Sequence, residues 1–348
     1  MERLLGILQQ EFPIDVDSTT PIDVGHLRPD TKLFRVEATG SPLITTDAYI
    51  GTPYILDTLP GTRIACHPHI VGDVLRDLCL DAAEEFVRSS ESLGVLEYGG
   101  LAMLNILRGG SGYMVIEALP VVVPVFNVRT EYSQGSYRDH PDDPRSIDVT
   151  YSNHESSNAR LRDVSTLVVP DTYATGRSAE AALEHLFSEG LDPESIVLYG
   201  FMAIPALVRI GRHCSEKGIE LASFSICDIS QLADNNYDMP LYGLDESLAS
   251  TGELRRLGSI VDVETLRRFI PSYVAGLDQP GDWSERHDAL FNGVGIEMGD
   301  IEGHLRKSFH LIESLREINS TQTWYDEEQD EIAKKELDNL RVTLSTIR

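Results

Sequence analysis

Between Leu101 and Cys227 short apolar runs alternate with helix-forming segments, and this alternation narrows the available folds more than any other feature of the chain. "LAMLNIL" (101–107), "VVVPVFNV" (121–128), "STLVVP" (165–170), "SIVLYGFMA" (195–203) and "IELASFSIC" (219–227) read as strands. "SGYMVIEAL" (111–119), "RSAEAALEHLFSEG" (177–190) and "IPALVRIGRHCSEKG" (204–218) read as helices, the second stopping at Gly190. Strands and helices in this order specify an α/β fold with a doubly wound, mostly parallel sheet. The strands lack a two-residue polar alternation, as expected when helices cover both faces. In such a sheet, ligands bind outside the carboxyl ends of the strands.

The flanks are less regular. Residues 1–60 mix short apolar runs with Pro, Thr, Asp and Gly and are expected to form an irregular N-terminal extension around a core spanning 61–298. Residues 71–92 read as a helix. Between 130 and 163 the pattern gives way to polar sequence, which inside an α/β core reads as a flap over the ligand site. Residues 299–348 read as C-terminal helices, the first with Ile301, Leu305, Phe309, Ile312, Leu315 and Ile318 on one face. They are expected to pack on the core or on a partner subunit.

Charge and composition exclude several classes. With 29 basic and 56 acidic residues the formal net charge is −27. Such a surface repels phosphodiester backbones, so no nucleic acid is expected as partner. An acidic surface with only five lysines resembles those of proteins adapted to high salt. No apolar run reaches the roughly 20 residues that span a bilayer. "MERLLGILQQEF" (1–12) does not read as a signal peptide, so no membrane and a cytoplasmic location are expected. The four cysteines form no Cys-x-x-Cys pair, and a reducing compartment is expected. "CHPH" (Cys66, His67, His69) reads either as a metal half-site or as a turn around Pro68.

The most informative stretch is "LVVPDTYATGR" (167–177). A strand ends at Asp171, a Thr- and Gly-containing turn follows, and an Ala-rich helix begins. Free N–H groups and the dipole at a helix start favour phosphate. Gly176 permits close backbone approach, Thr175 and Ser178 add hydroxyls, and Asp171 is an acceptor suited to a sugar diol. Together these describe a sugar-phosphate cradle. The plain alternative is an ordinary strand–helix turn with a cap.

The stretch "LVVPDTYATGRSAEAAL" (167–183) resembles the binding motif for 5-phosphoribosyl 1-diphosphate (PRPP) of the type I phosphoribosyltransferases. "ILRGGSGY" (106–113) is similar to the pyrophosphate loop of their uracil branch, "NVRTEY" (127–132) to the segment opening its flap, and "MAIPALVRI" (202–210) to the stretch after its fourth strand. Two segments resemble its base loop: "MPLYGLDES" (239–247) and "YVAGLDQPGDW" (273–283), the second with Asp278 and Asp282. The resemblance covers roughly residues 95–250 and leaves the choice between these loops open.

The resemblance implies roles. Arg108, Gly109 and Gly110 would face pyrophosphate, and Arg129 would reach it from the flap. Asp171 would hold the ribose hydroxyls and, through PRPP, Mg2+. Thr172, Tyr173, Ala174, Thr175, Gly176, Arg177 and Ser178 would hold the 5-phosphate. Tyr242, Gly243, Leu244, Asp245 and Asp282 would contact the base. Apart from the resemblance, Arg138 or Arg145 on the flap could close over the leaving group, or be solvated loop arginines. The implied partners are PRPP and a nucleobase, uracil leading, and the implied assembly is a homodimer. The chain departs from the family at Pro170–Asp171, which reverses the uracil branch's Asp-Pro, and at Arg177, where a second glycine is usual. A PRPP- or nucleotide-sensing regulator on the same fold is therefore the competing expectation. No Gly-x4-Gly-Lys-Ser/Thr loop is present, which speaks against a P-loop kinase.

Overall fold

In the computed structural model the chain opens with helix α1 (Glu2–Glu11) and strands β1 (Thr19–Ile22), β2 (Lys32–Val36) and β3 (Thr52–Asp57). Helices α2 (Leu59–Cys66) and α3 (Gly72–Ser92) follow. The alternating section supplies β4 (Leu101–Leu107), α4 (Val115–Ala118), β5 (Val125–Tyr132), β6 (Ile147–Ser152), β7 (Thr166–Pro170), α5 (Arg177–Ser188), β8 (Ser195–Ala203), α6 (Ile204–Lys217) and β9 (Glu220–Ser230). Beyond it come β10 (Gly243–Leu244), β11 (Arg256–Leu257), β12 (Ser259–Ile260), α7 (Val263–Phe269), β13 (Ala289–Phe291), β14 (Ile296–Met298), α8 (Ile301–Ser320) and α9 (Glu327–Thr346). The structure describes residues 2–25, 27–45, 49–132, 147–154 and 161–347.

Among the described residues the main sheet runs β1-β2-β3-β9-β8-β7-β4-β5-β6, with β12 also paired to β9. Strands β3, β9, β8, β7, β4 and β5 are parallel. The antiparallel strands β1, β2 and β6 extend the two edges. Side chains of the central strands alternate between two cores. Val168, Val197 and Tyr199 join the core under α2, α3, α8 and α9. Leu167, Val169, Ile196 and Leu198 join the one under α5 and α6. Both faces are buried, so both sets of positions are apolar. Each such side chain stabilises the fold by ~1.5–3 kcal/mol relative to exposure.

Residues 1–60 do more than wrap the core. β3 lies inside the sheet, pairing Thr52 with Ala222 through Leu56 with Ile226. Its apolar stretch is too short to separate from a loop by periodicity. The segment 121–124 is not a strand. Pro120 and Pro124 lack N–H donors, Val121 and Val122 are exposed, and β5 starts only at Val125. The helix expected over 111–119 is split into a 3-10 turn, Gly109–Tyr113, and α4, with Met114 left-handed between them.

The polar excursion begins on an antiparallel pair, β5 with β6, that continues past the sheet. Arg138 and Arg145 lie outside the described residues, as does most of the expected flap. Helices α8 and α9 bury Leu305, Ile312, Leu315, Ala333, Leu337 and Leu340 against the core. α9 starts with a capping box in which Asp326 and Gln329 satisfy each other's backbone N–H. Among the described residues no helix is long and apolar enough to cross a membrane.

Candidate active site between the ends of β4 and β7

The sheet order contains one reversal that matters. From β4 the chain passes outward to β5 and β6, then crosses back to β7 on the other side of β4. This is a topological switch point, where the loops leaving two adjacent strands diverge and open a crevice. The loop after β4 starts at Arg108 and that after β7 at Asp171. A cavity of about 480 Å3 lies there. It is lined by Arg108, Gly109, Arg129, the run Asp171–Ala179, Asn236, Tyr237, Pro280, Asp282–Glu285 and Lys307, among others.

The 171–178 loop is held from outside the cavity. Asp171 N donates to Tyr199 O at 3.0 Å, Tyr173 N to Phe201 O at 2.8 Å, and Ala203 N to Tyr173 O at 2.9 Å. These bonds extend the β7–β8 ladder past the strand end. Gly200 makes the close approach feasible: a Cβ there would lie 1.9 Å from Asp171 O. Arg209 of α6 donates from Nε to Thr175 O at 2.8 Å. Gly176 precedes α5 with φ of +77°, and an added Cβ would come within 3.0 Å of Ala206 Cα. The backbone therefore turns sharply into α5, whose first-turn N–H groups have no intrahelical acceptor.

The loop after β4 meets this cradle through aromatic side chains. The Tyr113 hydroxyl lies 2.5 Å from Thr172 Oγ1. Trp283 stacks on Tyr113 and donates from Nε1 to Gly109 O at 3.0 Å. The Leu107–Arg108 peptide is cis. Gly110 sits behind the cavity wall, where a Cβ would lie 2.7 Å from Pro170 O.

Charge is arranged in opposed pairs. Arg108 pairs with Glu285 and, at 3.5 Å, with Glu297. Its Nη1 is buried and has no hydrogen-bond partner among the described residues. Arg129 pairs with Glu131 at 2.8 Å and Lys307 with Asp282 at 3.2 Å. Burial pushes the Asp171 carboxyl up to about 7, opposed only by the Thr172 N–H. A cation carried into the cavity by an anionic ligand would favour its ionised form.

The two loops resembling a base loop pack on each other. Met239 N donates to Asp278 Oδ1 at 2.8 Å, and Gly276 N to Tyr242 O at 2.8 Å. Only the second reaches the cavity, through Pro280, Asp282 and Trp283. Tyr242, Gly243, Leu244 and Asp245 are not among the lining residues. Tyr242 is buried against Phe12 and Tyr273, and Leu244 belongs to the core. A Cβ at Gly243 would meet Gly276 N at 2.0 Å. Asp245 caps the turn Glu246–Thr251 and accepts from Asp234 N at 2.9 Å. Asp278 is likewise buried as a backbone acceptor.

Sequence reasoning missed Trp283, Ser284, Glu285, Asn236, Tyr237 and Lys307. The aromatic ending "GDW" was the one available signal. Lys307 comes from α8, whose polar face gives no sign of what it covers.

No protein-family model matches the chain. No curated protein matches it. Among solved structures it aligns with orotate phosphoribosyltransferase of Mycobacterium tuberculosis in complex with PRPP, at 14% identity over 48% of this chain and 89% of that one, with a TM-score of 0.29. The same enzyme in complex with Fe(III) dicitrate aligns at 14% identity over 42% and 73%, with a TM-score of 0.27. A hypoxanthine phosphoribosyltransferase from Staphylococcus aureus aligns at 10% identity over 46% and 77%, with a TM-score of 0.28. At these scores the likeness carries no weight on chemistry, which has to be read from the site.

Proposed function

We propose that the chain transfers a 5-phosphoribosyl group from PRPP to a nucleobase, with uracil the leading acceptor, and releases pyrophosphate. One observation carries this reading: a single cavity joins Arg108 and Gly109, Arg129, the Asp171–Ser178 loop and the 280–285 segment. Those are the parts that must meet if the first holds pyrophosphate, the third the ribose 5-phosphate and the last a base. Uracil is favoured by the resemblance of "ILRGGSGY", "NVRTEY" and "YVAGLDQPGDW" to the uracil branch.

The chemistry follows from the groups present. Bond breaking at the anomeric carbon leaves positive charge on the sugar and negative charge on the departing pyrophosphate. Arg108 and Arg129 face the side where that negative charge grows, and preorganised cations there lower the barrier. The N–H groups at the start of α5 hold the 5-phosphate. Asp171 accepts from the ribose hydroxyls and so fixes the sugar between them. Trp283 and Pro280 present apolar surface toward the base, and Asp282 an acceptor.

Mg2+ fits the donor set. Asp171, Asp282 and Glu285 offer only oxygens, the ligands of a hard cation, yet among the described residues they do not converge into a three-ligand cluster. Such a site suits an ion that arrives on phosphates and is met by one carboxylate, here Asp171. When bound, it supplies neutralisation of pyrophosphate charge.

The test is pyrophosphate release by the protein in high KCl with Mg2+, PRPP and a panel of bases, with Asp171→Asn as control. Base-dependent release that the variant loses would establish the transferase and name its acceptor. Silence with every base and no PRPP binding by calorimetry would sink the reading. A second reading, a PRPP-sensing regulator, is favoured by the pairing of Arg108 to Glu285 and Glu297, which competes with pyrophosphate. It expects PRPP binding with no release.

A further inference from the structure

Outside the cavity, the turn that leaves α2 meets α9. His67 Nδ1 lies 2.9 Å from Glu336 Oε2, and His69 Nδ1 lies 2.5 Å from Glu336 Oε1. The two imidazole centroids are 5.3 Å apart. One nitrogen from each ring and one carboxylate oxygen all fall within 4.8 Å of one another. Among the described residues no other three such groups converge this way. The Glu336 side chain is 2% exposed, whereas each imidazole keeps 24% of its surface open to solvent.

The turn that presents the imidazoles is fixed from behind. The guanidinium of Arg286, wholly buried, donates to the carbonyls of Ile64, His67 and Ile70. His304 Nε2 lies 2.9 Å from Pro68 O. Pro68 itself sets the His-x-His turn. The two rings are thus held facing one carboxylate that comes from 267 residues further along the chain.

We propose that His67, His69 and Glu336 form a divalent metal site that clamps α9 to the turn after α2. Two imidazole nitrogens and one carboxylate oxygen are the donor set of a borderline ion, with Zn2+ the leading member. Imidazole nitrogens disfavour Mg2+, which selects oxygen. The open quarter of each ring leaves an entry path and room for water as a further ligand. A metal at these nitrogens takes the neutral imidazole with its proton on the other ring nitrogen. Cys66, wholly buried next door, lies outside the trio, so the site is not a thiolate one. The inference does not depend on the transferase reading.

The test uses the full chain stripped by chelator and titrated with Zn2+ in excess Mg2+, which occupies weak sites on the acidic surface. The expected result is one equivalent bound per chain, with a rise in melting temperature. Co2+ in its place should give the visible absorption of a low-coordinate nitrogen–oxygen site. His67→Asn and His69→Asn should each weaken Zn2+ at least about tenfold while the metal-free circular dichroism stays unchanged. Glu336→Gln should do the same. Should that buried variant fail to fold, the partly exposed His69→Asn decides. No stoichiometric Zn2+ binding in the presence of Mg2+, or unchanged binding in both histidine variants, would overturn the proposal.

Discussion

The indole of Trp283 lies face to face with the phenol of Tyr113, ring centroids 4.4 Å apart and planes 25° apart, while its Nε1 bonds Gly109 O. Tyr113 in turn reaches Thr172. Three loops far apart in sequence are thereby locked around one cavity. Trp283→Phe keeps the stack and loses the donor, and should cost ~1 kcal/mol in urea unfolding. Trp283→Ala removes a buried indole and should cost ~3–5 kcal/mol. PRPP affinity, measured by calorimetry, should fall in both. An unchanged affinity in Trp283→Ala would mean that the 280s segment does not shape the site.

Asp171 gives stability a pH dependence with a definite sign. Burial lifts its carboxyl from 3.8 to about 7 in the folded chain. Below 3.8 the group is neutral in both states; as pH rises toward 7 the unfolded chain ionises freely and the folded one resists. Its stability contribution is thus full at low pH and lost as pH rises through about 7. Buried Asp228, also lifted to about 7, acts with the same sign. Asp171→Asn removes its own contribution and leaves those of Asp228 and of Asp57, itself lifted to about 6 by burial. The melting temperature of the variant, relative to the native chain, should climb between about pH 4 and about pH 8. A flat difference would mean that Asp171 titrates as an exposed acid. If the ionised form meets Mg2+–PRPP, affinity of the native chain should also weaken as pH falls below 7.

Gly200 is the position where a single methyl should disturb the site from behind. Its φ is +145°, and a Cβ would lie 1.9 Å from Asp171 O. Gly200→Ala should cost ~3 kcal/mol and displace Asp171. Gly218, which ends α6 with φ of +71° and open space around it, is the control. Gly218→Ala should cost ~1 kcal/mol and leave PRPP affinity alone. Equal effects of the two on affinity would remove Gly200 from any role in the site.

Glu285 competes for Arg108. Its Oε2 also accepts from Asp300 N at 2.6 Å. Glu285→Gln keeps an acceptor for that N–H and removes the negative charge beside the guanidinium. PRPP should bind about threefold to tenfold more tightly, equivalent to ~1 kcal/mol. Arg108→Gln should weaken it by at least as much. If Glu285→Gln weakens PRPP instead, Glu285 positions Arg108 rather than opposing it.

Much of the parallel core was legible. β4, β7, β8 and β9 start and end within a few residues of the expected apolar runs, and α5 and α6 stop beside Gly190 and Gly218. These signals are local: strands buried on both faces are continuously apolar, and helices stop where a glycine adopts positive φ. β3 was not legible, because its short apolar stretch becomes a strand only once β9 lies beside it. The strand expected from Val121 failed because apolar composition says nothing about backbone donors, and two prolines remove them.

By itself, then, the sequence determined the strand–turn–helix unit from Thr166 to Ser188, with Asp171 at the tip and Gly176 at the bend. Every constraint on that unit acts between residues a few positions apart. Tertiary structure alone decided that β4 lies next to β7, which places Arg108 across a crevice from Asp171. It also decided which of two similar loops faces that crevice. Tyr242 is taken into the core by Phe12 and Tyr273, while Trp283 is drawn to Tyr113 and Gly109. Those choices follow from packing between segments distant in the chain, and local spacing carries no record of which surfaces will meet.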